Sequence, residues 1–426
     1  MKWLSDTVSA RASCAIVLVA LLALPLSPAL AQTQINAPAA PSANGVKVGE
    51  GRLHPYVELQ TRFDSAAGFL NKNEVGQAPQ LRPELIVHVR PGARLDVPGD
   101  ALQLGLNGNL DLLWYTGLLS AGSQNFSRVQ GQGTVDLVFN PGGTVEFRVG
   151  DTLVRSDRAE TPSVGVGVLS LYNQVRAELG IRPGGGALEI APGASYTFEF
   201  FRPLVQGVLP DCPPTEPLCS PSAVSALNYG NVGLYLRGSY KFLPKTAIVA
   251  DARYDLRDYS GGSRAARLLH GSAGVSGLVT PKISVLAKLG YANDFGAEAV
   301  RSVIATAEAA WLASETANVR VGYLRRLEPV ALFGSYVDDR AYAEARALIG
   351  GRLSLHAYGS FDWLTFTDAP RRDSLVRLDV GPDYAVTRWL VVGAGYLLTT
   401  RASSASAAQT FNFARHEGYL RATFSY

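Results

Sequence analysis

The chain has 426 residues, 47% of them hydrophobic and 18% charged, and a formal net charge of +3. So small a charge on so long a chain argues against a nucleic-acid partner. Beyond the N-terminus no segment holds the roughly 20 continuous apolar residues of a membrane helix, and long helix-period segments are missing, so the apolar residues must serve another architecture.

In chain order, Lys2 and Arg11 precede an apolar run from Ala15 to Leu24 that breaks at Pro25, and Ala29-Leu30-Ala31 has the small-x-small form of a cleavage site. Residues 1–31 therefore read as a signal peptide, which sends the chain out of the cytoplasm. Cys14 lies before the apolar core, so it is no lipid-attachment cysteine. Residues 32–50, rich in Ala, Pro and Asn, read as a flexible periplasmic tail. Two cysteines then survive, Cys212 and Cys219, flanking Pro213 to Leu218. In an oxidising compartment they are candidates for a local disulfide, and with no histidine close in sequence a metal site is not expected.

From Gly51 to Tyr426 segments of period two follow one another. Leu102, Leu104, Leu106, Leu110, Leu112 and Trp114 alternate with Gln103, Asn107, Asn109 and Asp111. Ile248, Ala250, Ala252, Tyr254 and Leu256 alternate with Asp251, Arg253 and Asp255, and Val303 to Trp311 repeats the pattern with Thr306 and Glu308 opposite. About eighteen such strands are predicted, from 52–63 and 81–90 through 246–256 to 411–426. A strand puts successive side chains on opposite faces, so each is greasy on one side and wet on the other. Tight connections such as Asn140-Pro141-Gly142-Gly143, Pro244-Lys245 and Gly350-Gly351 alternate with longer polar ones, as short inner turns and long outer loops would. Pro91 to Asp100 is an exception, longish for a turn, and a bulge is expected near Pro192-Gly193, since proline cannot donate to a ladder. Trp114, Trp311, Trp363 and Trp389 lie at or near strand ends, where aromatic girdles sit. The fold class is all-β: a transmembrane, antiparallel, up-and-down β-barrel of about 18 strands over residues 51–426.

The last strand is the most telling. Leu420, Ala422, Phe424 and Tyr426 share one face, while Tyr419, Arg421, Thr423 and Ser425 share the other. It resembles the closing strand of bacterial outer-membrane proteins. The resemblance implies an outer-membrane location among lipid, with Phe424 and Tyr426 as an insertion signal for the barrel-assembly machinery.

The alternation places Asp111, Arg128, Asp136, Arg148, Arg176, Glu178, Arg237, Asp251, Arg253, Glu308, Arg320, Arg346, Arg377 and Arg421 inward as pore-lining candidates, together with Glu58, Glu146, Lys288, Glu344 and Asp379. On the lipid face each Arg or Lys at midplane would cost about 2–4 kcal/mol. Barrels of 16–18 strands leave a channel, and with both signs on the wall in similar numbers weak charge selectivity is expected. In general porins the third outer loop folds inward as a constriction. Here it is Thr152 to Leu171, and its charged residues Arg155, Asp157, Arg158 and Glu160 are the constriction candidates.

The five histidines, His54, His88, His270, His356 and His416, fall in predicted strands, all inward, with no nucleophile motif beside them, so no catalytic residue is assigned and no enzyme is expected. Asp338-Asp339 and Asp362 near Asp368 read as acidic loop sites without the spacing of a calcium loop. Gly165-Val166-Gly167 lacks the strand–loop–helix context of a phosphate loop. In outline the chain looks like two kinds of barrel, the substrate- and sugar-specific porins and the short polysaccharide-export barrels. The first implies uptake of hydrophilic solutes; the second implies polymer export with a periplasmic export protein as partner. A plugged barrel with a structural or adhesion role and an outer-membrane hydrolase stand behind them. Cofactors are not implied, and the sequence leaves the oligomeric state open.

Overall fold

The computed structural model describes residues 45–69, 81–120, 123–157, 168–184, 186–203, 224–261, 265–295, 299–330, 334–367, 370–404 and 412–426. The signal peptide, most of the expected tail, Cys212 and Cys219, Arg158, Glu160, Asp368 and the Gly165-Val166-Gly167 segment lie outside them. The strands are β1 (Val46–Val48), β2 (Gly51–Phe69), β3 (Leu81–Val97), β4 (Leu102–Tyr115), β5 (Arg128–Phe139), β6 (Val145–Ser156) and β7 (Val168–Ile181). They continue as β8 (Leu188–Pro203), β9 (Tyr229–Leu243), β10 (Thr246–Tyr259), β11 (Ala265–Thr280), β12 (Ile283–Asp294) and β13 (Val300–Ser314). The last six are β14 (Ala317–Val330), β15 (Gly334–Ile349), β16 (Leu353–Phe366), β17 (Arg372–Ala385), β18 (Leu390–Ser403) and β19 (Phe413–Ser425).

Strands β2 to β19 each pair antiparallel with the next, and β19 pairs back onto β2 through Leu420↔Thr61 and its neighbours, so eighteen strands close a barrel with no free edge. Closure satisfies every ladder internally, the condition for crossing a membrane with strands. Among the described residues no helix is long and apolar enough to cross. The small strand β1 lies within the segment read as tail. It folds back on Gly51 to Leu53 and continues the edge that β19 leaves at Pro55, whose carbonyl accepts from the amide of Tyr426 at 3.1 Å.

The two faces of the wall separate as the alternation predicts. Outward stand Leu59, Leu110, Leu112, Leu234, Leu236, Ile248, Leu289, Val321 and Leu420, all exposed. Trp114 and Trp363 lie outward near the loop end, and Trp311 and Trp389 near the turn end, where Trp389 stacks on Phe424 at 6.2 Å. These are two girdles on either side of an apolar band.

Prolines shape the wall in a way the sequence reading got wrong. Strand β3 does not stop at Arg90; it runs through Pro91 to Val97, and the expected long turn shrinks to residues 98–101. Pairing of β3 with β4 lapses between Val89↔Leu112 and Gly92↔Asn109, yet the register is the same on both sides. Pairing of β7 with β8 lapses likewise around Pro192, with no bulge, and that of β17 with β18 around Pro382. A proline lacks the N–H for its ladder bond, so one bond is lost while the strand carries on. At the β15–β16 turn both Gly350 and Gly351 have positive φ, 58° and 68°, a backbone that side chains oppose.

Replacing Leu420, exposed on the lipid side of β19, by Arg is expected to lower stability in lipid by about 2–4 kcal/mol, while Ser276→Arg on the inner face of β11 should cost well under half of that. Denaturant titration of the protein refolded into vesicles measures both.

Candidate functional site: the lumen wall

All nineteen charged residues placed inward by alternation stand on the inner phase of their strands, shown by their cross-strand partners: Arg148 faces Glu178, Asp251 faces Ser272 and Arg320 faces Glu344. The same phase carries many more charges that the sequence reading did not place inward, among them Arg62, Asp64, Arg90, Asp338, Arg340, Asp362, Asp383, Arg415 and Glu417, all buried. Alternation carried through the full length of each strand marks their phase; their pairing depends on register between strands, which alternation does not supply.

The pairs join into lateral networks. On β19, β2, β3 and β4, Arg415 clasps Asp64 through Nε at 3.0 Å, Arg62 holds Glu417 at 3.1 Å, and Arg90 bridges Glu58 and Asp111, the latter at 2.9 Å. On β17 and β19, Arg421 holds Asp383 at 2.6 Å. On β14 to β17 the chain runs Arg326–Asp338 at 2.8 Å, Arg340–Asp362, and Arg377–Asp362 at 3.5 Å. On β6 to β9, Glu178 takes both Arg148 and Arg237. In the turn after β7, hydrogen bonds from Arg182 to Glu146 and Glu189 raise its pKa. Each of these carboxylates thus keeps a cation beside it, which offsets the cost of burying it.

Four inward tyrosines lie flat against the wall, each directly across from a glycine: Tyr56 on Gly92, Tyr235 on Gly193, Tyr342 on Gly322 and Tyr419 on Gly395. A methyl group at any of these glycines would overlap the ring. The bare backbone is the slot that lets the ring lie down instead of projecting into the lumen, an aromatic covering a glycine.

The loop end is narrowed from three sides. Glu84 on β3 gathers Thr116 Oγ1 at 3.0 Å, the amide of Ser120 at 3.2 Å and the Ser123 hydroxyl, so the β4–β5 loop is tied across the inner wall. Val224 and Leu227, just before β9, pack on inward Phe201, Tyr229 and Tyr259. The tip of the β14–β15 hairpin goes furthest. β14 leaves β13 beyond Ala305↔Arg325, and Leu327, on the outward phase, is buried against Leu268 and Ala292, which are inward on β11 and β12. An outward face resting on inward faces means that the tip has folded into the lumen. Arg257 on β10 then reaches the carbonyl of Pro329 at 3.2 Å, and Ser335 donates to Asp294 at 2.6 Å. Toward the turn end the inward side chains become more exposed.

Of the constriction candidates, Asp157 does turn to the inner wall, where Arg128 holds it at 2.6 Å. Arg155 does not: it stands on β6 between Gly131 and Leu171, exposed on the outward phase. Strand β6 runs on to Ser156, into the segment expected to be loop. Asp338, Asp339 and Asp362 are strand residues held by arginines, not loop sites. His54, His88, His270 and His356 are inward, but His416 is outward on β19 beside Tyr396. His88 meets Asp111 at 3.0 Å and His356 meets Asp379 at 3.4 Å, both within the charge networks. Among the described residues no cluster of His, Cys, Asp and Glu has the makeup to hold a metal ion.

A closed wall, mostly apolar without and charged within, is matched by one family model over residues 39–426, described as Putative beta-barrel porin 2. The chain belongs to the Putative beta-barrel porin 2 family. It is a porin-like barrel of the outer membrane. No curated protein matches its sequence. Among solved structures it is similar to the siderophore receptor PirA from Pseudomonas aeruginosa, at 9% identity, covering 88% of this chain and 80% of that one, with a TM-score of 0.42. It is similar to the FrpB iron transporter from Neisseria meningitidis at 8% identity, 84% and 64% coverage and a TM-score of 0.47. For OccAB3 from Acinetobacter baumannii the values are 11%, 89%, 100% and 0.36. Likenesses this loose reach no further than the barrel.

Arg415→Met is expected to destabilise the barrel by about 3–5 kcal/mol, because Asp64 would be left charged and buried, whereas Arg415→Met with Asp64→Leu should recover most of the loss. Denaturant unfolding of the two variants tests the pair.

Proposed function

We propose that this barrel is a passive aqueous conduit for small hydrophilic solutes across the outer membrane. The observation that carries the reading is the partition of the closed eighteen-strand wall, with ionised pairs on every side of the interior and hydrocarbon-compatible side chains outside. Strands about 4.8 Å apart and tilted by roughly 40° close to a backbone cylinder about 35 Å across, wider than side chains on the wall can fill. Water is the natural occupant of a space so lined. The tyrosines lying flat against the wall support the same reading, since they keep their bulk out of the path. Membership of a porin family suggests transport rather than catalysis.

The inward tip of β14–β15, the tied β4–β5 loop and the segment at Val224 favour small solutes over an extended polymer. They crowd the outer mouth, where an exported chain would have to emerge. Polysaccharide export is therefore the weaker version of the conduit.

Purified protein in a planar bilayer should carry discrete ion currents; no current at any voltage, from protein shown to be folded by its heat-dependent gel mobility, would remove the conduit. Leu327→Asp should raise the conductance about twofold or more, because a carboxylate cannot stay buried on Leu268 and Ala292 and the hairpin tip must lift. An unchanged conductance would mean that the tip does not limit flow.

A further inference from the structure

The inward charges balance in number, but they do not balance at the surface that water touches. A carboxylate hangs on one or two methylenes and a guanidinium on three, so on a crowded wall the arginine drapes over the acid it pairs with. The exposures of paired side chains follow this rule. Arg94 is 60% exposed and its partner Asp96 48%; Arg237 is 44% and Glu178 7%; Arg320 is 51% and Glu308 27%; Arg346 is 58% and Glu344 24%. The pairs Arg148–Glu178, Arg253–Asp255 and Arg377–Asp362 repeat the order. Lys288–Asp251, Arg182–Glu189, Arg257–Glu328 and Arg326–Glu328 run the other way, and in Arg90–Asp111, Arg128–Asp157 and Arg421–Asp383 the two partners are nearly equal and buried.

Among the described strands seven inward cations are exposed, whereas of the inward carboxylates only the side chain of Asp96 is open to a comparable degree. The seven are Lys47, Arg52, Arg94, Arg237, Lys241, Arg320 and Arg346. They are also placed with some order. Lys47, Arg52 and Arg94 stand on β1, β2 and β3, Arg237 and Lys241 on β9, and Arg320 and Arg346 on β14 and β15. These groups are five or six strands apart around an eighteen-strand wall, so they divide it roughly into thirds. All but Arg237 lie within three residues of the turn end of their strand.

We infer that the lumen favours anionic solutes, such as small carboxylates, sulfates or phosphates, through a collar of exposed Arg and Lys side chains at its turn end. This rests on the conduit reading. A cationic collar concentrates anions and repels cations, as rings of Arg and Lys do in anion pores. The lumen is wide, so the effect depends on salt. With a Debye length of about 10 Å at 0.1 M the fields of the three groups meet near the axis, while at 1 M, about 3 Å, each acts only at its own surface.

The test is the reversal potential of the full chain in planar bilayers under a potassium chloride gradient. At salt near 0.1 M, chloride should permeate about 2–5 times better than potassium, and the preference should fade toward unity near 1 M. The triple variant R94Q/R320Q/R346Q should lose the preference or reverse it, because Asp96, Glu308 and Glu344 would then face water. The variant R94K/R320K/R346K, which keeps the charge, should retain it. A conducting protein that prefers potassium at low salt, or a glutamine variant with an unchanged ratio, overturns the inference and leaves the conduit standing. Absence of current in the parent and in every variant removes the conduit itself, and the anion preference with it.

Discussion

The organising constraint is the cost of a charge without a partner in a wall only one strand thick. Hydrocarbon lies on one side and a water-filled space on the other, so each side chain has to suit the medium that its strand phase gives it. An arginine at the outer midplane loses several times the thermal energy, and a buried carboxylate without a cation loses as much. Both conditions are met at once when charges occupy alternate positions on the inner phase and long arginine side chains reach diagonally to acids on neighbouring strands. Arg415 beside Asp64, Arg62 beside Glu417 and Arg421 beside Asp383 are this arrangement at the seam where the last strand meets its neighbours. Because β19 closes the barrel on β2, the first and last parts of the chain must both be present before the pairs of Arg415 with Asp64 and Arg62 with Glu417 can form.

Much of this was visible in the sequence. Alternation assigned the lipid and lumen faces of strands as different as β4, β10 and β19, because the difference between the two media is severe enough to leave a mark at nearly every position. It failed where the mark is weaker. Pro91 and Pro192 were read as breaks or bulges, yet a strand with a neighbour on each side can lose one ladder bond and keep its register. Arg155 was assigned to a loop because a charge near a loop was expected to be in it; the strand had not yet ended. His416 kept the polar company of Tyr396 on the outer phase near the rim, where the apolar requirement relaxes.

What alternation cannot reach is anything set by register between distant segments. The fit of Tyr235 over Gly193 joins strands separated by a long loop, and each residue alone looks ordinary. The inward fold of the β14–β15 tip is likewise unmarked, since Leu327 and Val337 carry the phase of lipid-facing residues and only the surrounding elements reveal that they rest on the inner wall. The order of exposure within ion pairs is a further step removed. It follows from side-chain length on a curved, crowded surface, so a balanced count of charges describes the composition of the wall but not the face it shows to a solute.

The departure of β14 from β13 has a mechanical side. Beyond Arg325 the hairpin is joined by ladder bonds to β16 alone, and Arg325 Nε covers the carbonyl of Val303 that β14 has left, at 3.1 Å. The ladder to β16 runs out to Tyr336↔Phe366, so the tip is a flap hinged along one side, and its free side is held by the contacts of Leu327 and the bond from Arg257 to Pro329. A closed wall therefore carries, at its rim, one part that has a backbone neighbour on one side and only side chains on the other.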